Sequence, residues 1–447
     1  MVNLKNINMK QAIRNMAAGL MLVIIFLAGC NGNNILDAVF LPEDTALDEN
    51  KTKEPLQEEN EIATPAPTEN SFSGNNLSIW LPPQFNPNAD TDSGKIMLAH
   101  IESYQELHPH FTFDIRVKAD GGSSSLLNSL LTTASAAPGV LPSIVLISRS
   151  DLETAAAQGI IQPVESLSSA IDESDWFPFA NEMGIIHGET YGLPFTADAV
   201  GLVMHEDVFG SEYVPLTEAS RKLGTMAFAA GDPDTVVPFI MYQSIGGNVE
   251  DKQGQPTIEL EYLSNTLASI EKNLKLGVFS PGLIEYQSDN QIWAAFSEKE
   301  FKGVLTWISR PLAEADNYYI SPLPGIESQP YTYASGWIWC LVDKKNINRE
   351  LSISFAEHMI DPLFLTEWTP KSGYLPVRPS SIIGWDETLQ ATLTNILYSA
   401  DLMPNEVALS FAKSDIIKAV QDLLQELSTT EESTQKIQER LESAQAQ

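Results

Sequence analysis

Glu189 to His205 reads ETYGLPFTADAVGLVMH, two runs rich in strand formers with the kink Gly192-Leu193-Pro194 between Tyr191 and Phe195. Tyr191 to Phe195 is expected to end one α/β lobe and Ala199 to Met204 to open a second, because an apolar run of that length suits a strand buried on both faces. A ligand held in the cleft between the lobes would touch both. A bent strand inside one domain gives the same local pattern, so the flanking sequence has to decide.

Upstream, Leu77 to Leu81 predicts a strand, Gly94 to Leu107 a helix with Met97, Ile101 and Tyr104 on one face, and Phe111 to Val117 alternates as a second strand. Ser123 to Ser135 predicts the next helix and Ser143 to Ile147 a short buried strand, a succession that implies parallel crossovers. Ser150 with Glu153 has the spacing of a capping box and Gly159 marks the helix end. That places Arg149 at the C-terminal end of a parallel strand, where open α/β sheets hold ligands.

Downstream, Thr225 to Ala229 and Lys302 to Trp307 read as strands. Asp232-Pro233 is expected to cap a helix reaching Ile245, Asp251 to Pro256 to turn, and Tyr262 to Leu276 to form an amphipathic helix closed by Gly277. Asp289 is expected to cap a short helix carrying Ile292, Trp293 and Phe296. Tyr318 to Pro324 and Tyr333 to Val342 read as extended segments returning to the first lobe, with a helix over Arg349 to Phe364 behind them. Pro370 to Arg378 holds three chain breakers and predicts a last crossing loop. Ile416, Ile417, Val420, Leu423, Leu424 and Leu427 share one face of a C-terminal helix, and Thr429 with Glu432 opens another. The expected organisation is residues 76–194 and 319–370 in lobe I, and 195–318 and 371–447 in lobe II.

The ends and the composition narrow the function. Lys5, Lys10 and Arg14 precede the apolar run Ala17 to Ala28, and Leu27-Ala28-Gly29-Cys30 follows, so residues 1–29 read as a lipoprotein signal peptide with Cys30 as the acylated residue. The run is too short to span a bilayer, which takes about 20 apolar residues. Residues 30–75 read as an acidic, proline-bearing tether that cannot bury enough surface to fold. The 447-residue chain carries 59 Asp plus Glu against 26 Lys plus Arg, a net charge of −33, which argues against nucleic acid as a partner. Cys340 sits in an apolar run and reads as a buried small hydrophobe. The sequence contains no G-x-S-x-G, H-E-x-x-H, G-x-G-x-x-G or Walker A pattern. No catalytic residue, metal ligand or cofactor is expected.

Together the lipobox, the tether, Gln158 to Pro163, the Tyr191-Gly192-Leu193-Pro194 crossing, Gly246-Gly247 with Asp251-x-x-Gly254-x-Pro256, the strand ending at Trp307, and Gly373-Tyr374-Leu375-Pro376-Val377-Arg378 resemble the extracellular solute-binding proteins of ABC importers. The resemblance is to the sugar-binding group that includes maltose-binding protein, and it covers nearly all of residues 76–445. It implies a two-lobed periplasmic-binding-protein-like fold of type II, each lobe a mixed sheet flanked by helices, joined by crossing hinge segments. It departs from the group at Pro215 to Ala219, where a Thr-Trp-Asp-Glu-Leu turn is usual, and in the long first loop Pro82 to Ser93.

Trp307, Tyr374, Trp80 and Trp337 fall at or near expected strand ends or crossings, where their rings can meet the apolar faces of a sugar. Arg149, Asp198 and Arg310 are the polar partners for its hydroxyls. The expected function is that of a monomeric receptor, anchored through Cys30 on the extracytoplasmic face of the membrane, which captures a carbohydrate by hinge closure and delivers it to an ABC permease. The alternatives are a peptide or polyamine ligand on the same fold, and a lipid-anchored carbohydrate-active enzyme.

Overall fold

The computed structural model describes residues 76–445 apart from 120, 165–167, 252–254, 315–317, 327–328 and 343–347. The signal peptide, Cys30 and the tether therefore lie outside the described residues. The first elements alternate as expected: β1 (Asn76–Leu81), α1 (Asp92–Leu107), β2 (Thr112–Val117), α2 (Leu126–Ala136), β3 (Ile144–Ser148) and α3 (Arg149–Ala157). β1 pairs in parallel with both β2 and β3. Thr91 caps α1 by accepting from Gly94 N, and Met97, Ile101 and Tyr104 form its buried face. The cap of α3 is Ser148, which accepts from Asp151 N, and not Ser150. The helix thus starts two residues earlier than its capping-box spacing implies, and Arg149 is its first residue.

After α4 (Pro178–Met183) and the hairpin of β4 (Ile185–Ile186) and β5 (Glu189–Thr190) comes β6 (Gly192–Met204), one unbroken strand with all thirteen residues buried. Gly192-Leu193-Pro194 kinks the strand without interrupting it. Pro194 has no N–H to give a ladder, and the pairing accommodates it with a bulge: Trp337 faces Thr196 while Ile338 faces Pro194. Gly192 is needed because a Cβ there would stand 2.4 Å from Trp339 O.

The remaining elements are α5 (Leu216–Leu223), β7 (Met226–Ala227), α6 (Val237–Gln243), α7 (Leu260–Lys275), α8 (Asp289–Ser297), β8 (Gly303–Trp307), α9 (Ser309–Ala313), β9 (Tyr319–Pro322), β10 (Thr332–Leu341), α10 (Arg349–Met359), α11 (Pro362–Ser372), β11 (Leu375–Pro376), α12 (Glu387–Tyr398), β12 (Ala400–Leu402), α13 (Glu406–Leu424) and α14 (Thr430–Gln445). The main sheet runs β2-β1-β3-β10-β6-β8-β7, with β9 and β11 also on β6 and β12 on β10. Along β6 the neighbours change in mid-strand. Residues up to Ala199 pair with β10 and β11, whereas Val200 to Met204 pair with β8 and Gly201 to Met204 with β9. β9 therefore joins the second block of sheet and not the first, as its sequence position had suggested.

Several boundaries move for local reasons. Asp232 accepts from Asp234 N in a tight turn, and α6 begins only at Val237. Ser288, not Asp289, caps α8. The expected helix over Arg349 to Phe364 is two helices, because Asp361 caps a new one with Pro362 at its first position. Pro370 lies inside that helix, α11, so the last crossing begins only at Gly373. On α13 the expected face is buried from Ile416 to Leu424, but Leu427 is 67% exposed beyond its end. Thr429 and Glu432 do form a reciprocal capping box: Thr429 Oγ1 accepts from Glu432 N at 3.2 Å and Glu432 Oε2 from Thr429 N at 2.9 Å.

Candidate binding site on the central strand

Between Thr196 and Val200, where β6 changes partners, the chain gathers four elements. β8 ends on Trp307, which pairs with Val200. The backbone then turns, with Ile308 N donating to Ala199 O at 2.9 Å, and enters α9. Asp198 holds that turn in place. Its Oδ1 accepts from Ser309 N at 2.9 Å and from Ala199 N at 2.8 Å, and its Oδ2 accepts from Ser309 Oγ. The residue is 7% exposed. Burial pushes the carboxyl up to about 7, against the lowering effect of those hydrogen bonds and with a smaller upward contribution from Asp289. Asp289 itself is raised by burial while accepting from Thr306 Oγ1 at 2.5 Å. Arg310, on α9, donates to Asn290 Oδ1 and lies 5.9 Å from the Trp293 ring.

The fourth element arrives through Gly373, which ends α11 in the left-handed region at φ +78°. A Cβ there would stand 2.7 Å from both the Ala313 Cβ and Ser309 O, so only glycine lets α11 close onto α9. The next residue, Tyr374, meets Trp337 edge to face at 4.8 Å, and both rings lie 5.2 Å from Phe85. Trp337 is opposite Thr196 across the ladder. Trp307, Trp337 and Tyr374 are half-buried, each packed against the core with part of its surface open. Half-open rings beside hydroxyl, amide and guanidinium groups can stack on the C–H face of a polar ligand while the polar groups take its hydroxyls.

Of the seven residues singled out from sequence, Trp307, Trp337, Tyr374, Asp198 and Arg310 are drawn together by these elements. The other two are not. Trp80 is 2% exposed with the Lys118 ammonium 3.9 Å from its ring centroid, so its ring is part of the core. Arg149 is engaged by Glu153 at 3.1 Å and by Ile185 O at 3.3 Å. Its electrostatic neighbour is Cys340, and alternation along β10 puts Cys340 on the opposite face from Trp337. Desolvation lowers the guanidinium's affinity for its proton, and Glu153 opposes that effect. Ser309, Asn290 and Phe85 had not been recognised from sequence. The signal for Ser309 was its place two residues after a strand-ending tryptophan; the long loop Pro82 to Ser93, which carries Phe85, was a weaker one. Cys340 is a free, fully buried thiol, as its apolar surroundings implied. Among the described residues no helix is long and apolar enough to cross a membrane, and no group of three or more His, Cys, Asp or Glu could hold a metal ion.

Residues 99–391 match the sequence profile of the family described as bacterial extracellular solute-binding protein, well over half of the chain. The chain belongs to that family. Solute-binding proteins of this kind bind ligands and do not transform them, and the family is extracellular. Solved structures give the same fold at low identity. The sugar-binding protein MalE from Xanthomonas citri superposes with a TM-score of 0.66 at 14% identity, over 82% of this chain and 96% of that one. Maltose-bound MalE3 of T. maritima gives 0.61 at 14%, over 83% and 99%. The ABC substrate-binding protein Lmo0181 from Listeria monocytogenes, in complex with cycloalternan, gives 0.60 at 14%, over 83% and 99%. No curated relative matches the sequence. For this solute-binding protein, the α/β periplasmic-binding-protein-like fold implied by the resemblance therefore stands.

Proposed function

We propose that the protein is the substrate-binding subunit of an ABC importer, a monomer anchored through an acylated Cys30, which captures a mono- or oligosaccharide and delivers it to the permease. The observation that carries this reading is the trio of half-buried rings, Trp307, Trp337 and Tyr374, set around residues 196–200 of β6. A sugar is the ligand class whose flat apolar faces such rings fit, and structural neighbours are described with maltose and cycloalternan bound.

The mechanism follows from β6. The first block of sheet is attached to the strand up to Ala199 and the second from Val200 onward, so a twist about this point moves one block relative to the other. In this reading the two blocks are the lobes. A ligand touching Trp337 and Tyr374 on one side and Trp307 and Arg310 on the other favours the closed arrangement by the difference in its affinity for the two states. The permease then recognises the closed form.

Calorimetric titration with mono- and oligosaccharides, peptides and polyamines tests the ligand class. Saturable binding of a saccharide, accompanied by a rise in melting temperature, is expected; ligand at ~100 times its dissociation constant adds about 2.7 kcal/mol. Binding of a peptide or polyamine with no response to any sugar overturns the carbohydrate assignment, and turnover of an oligosaccharide overturns the receptor assignment.

A further inference from the structure

A cavity lies between α5 and α7, away from the aromatic site. α5 leads through Gly224 into β7, and Met226 of β7 pairs with Gly303, the first residue of β8, whereas Trp307 is the last. Four residue-to-residue steps separate the two ends, about 13 Å at ~3.3 Å per step. The cavity has a volume of about 600 Å³, within the range of small-molecule sites.

Its lining is divided by chemistry. Leu276, Val278 and Ile326 supply an apolar wall, and Leu276 keeps 64% of its surface exposed although it borders a hollow. Ser220 and Asn273 supply a buried polar floor, at 6% and 3% exposure. Asn273 Oδ1 and Ser220 Oγ are 2.6 Å apart, and Asn273 Nδ2 donates to Ser269 O at 2.8 Å. One amide hydrogen of Asn273 has no partner among the described residues.

Among the described residues, the charged ones lining the cavity are Arg221 and Lys272, both cations, in a chain whose net charge is −33. Among the described residues Arg221 reaches only Glu218, at 3.8 Å and with 74% of its side chain exposed, a pairing that contributes little. Lys272 has no ion-pair partner among the described residues. Glu271, its neighbour in sequence, is already engaged by Lys275 and Thr430. An anion approaching most of this surface is repelled, while one reaching this cavity meets two cations and then an apolar wall.

We propose that this cavity is a second ligand site, for a small amphipathic anion such as an aliphatic carboxylate or an aryl sulfonate. The charged head sits between Lys272 and Arg221, and the apolar body lies against Leu276, Val278 and Ile326. The site is independent of the carbohydrate reading, because it shares no residue with the cluster around Trp307.

Anilinonaphthalene sulfonate is the probe, titrated by fluorescence into the folded full chain, with octanoate and octyltrimethylammonium as competitors. Saturable binding is expected, displaced by octanoate but not by the cation of the same chain length. Lys272→Glu, at a surface position, is expected to weaken binding about tenfold or more by turning attraction into repulsion. Ser269→Trp, which fills the cavity, is expected to abolish it. Trp307→Ala is expected to bind the probe as the parent does. The proposal falls if the folded parent does not bind the probe, if Lys272→Glu binds it unchanged, if octyltrimethylammonium competes as well as octanoate, or if Trp307→Ala removes the binding and so places the probe in the aromatic site.

Discussion

Replacing Asp198 by Asn tests the electrostatics of the central strand. In the folded chain burial pushes the carboxyl up from 3.8 to about 7, a displacement of about 4 kcal/mol at 1.36 kcal/mol per pH unit. Its direction sets the pH dependence. The folded state holds the proton more tightly than the unfolded state, so the contribution of this group to stability is full below its unfolded value of 3.8. It is lost as pH rises through the folded value of about 7, and is constant above that. Asparagine is nearly isosteric and keeps Oδ1 for Ala199 N and Ser309 N, and its amide can donate to Ser309 Oγ. The rise to about 7 is already net of the charge assistance that those bonds give the carboxylate. At about pH 4 the two should be nearly equal, and at about pH 8 the variant should therefore be more stable than the parent by about 4 kcal/mol. Urea denaturation of both proteins without ligand, at about pH 4, 6 and 8, reads the difference as a change in midpoint at constant slope. A variant less stable than the parent at pH 8, or a difference independent of pH, refutes the reasoning: the hydrogen bonds to Ser309 would then outweigh the desolvation of the charge.

Trp307→Ala is expected to weaken saccharide binding by roughly 1–3 kcal/mol in calorimetry, with a smaller loss of stability than a core ring. Trp80→Ala provides the contrast, a stability loss of ~3–5 kcal/mol from the cavity it leaves, with affinity unchanged. Gly373→Ala combines a left-handed backbone with a clash at 2.7 Å, and its melting temperature should fall by the equivalent of at least about 1–2 kcal/mol. Cys30→Ala should bind ligand as the parent does in vitro but no longer partition into the detergent phase of a membrane extraction. Partitioning equal to the parent's would refute the anchor, and limited proteolysis of the parent should cut first within residues 31–75.

The crossovers from β1 to β3, the face of α1 and the strand ending at Trp307 were legible because each rests on a single periodicity or a local cap. β6 was not. Its Gly-Leu-Pro reads locally as a kink between two runs, and only the bulge opposite Trp337 and Ile338, made by a strand some 140 residues away in sequence, keeps it one continuous strand. The same limit applies to the site. Position at a strand end brought Trp307, Trp337 and Tyr374 into consideration together, but it carries no information on depth, so Trp80 looked equivalent although it is buried beneath Lys118. Arg149 was displaced by a contest between two serines: the cap is Ser148, which makes the arginine the first residue of α3 and gives it Glu153 one turn later. Depth and pairing partner are set by distant segments, whereas spacing is not.

Both blocks of sheet take their inside and outside from the same thirteen residues of β6. In a strand, a single inserted or deleted residue exchanges the two faces for everything beyond it. A loop between the blocks would absorb such an error, but here it would pass across Ala199 and Val200 and turn the second block over relative to the first. β6 is thus a shared reading frame for the two halves, and of all segments described it should tolerate changes of length least, even where it accepts changes of residue.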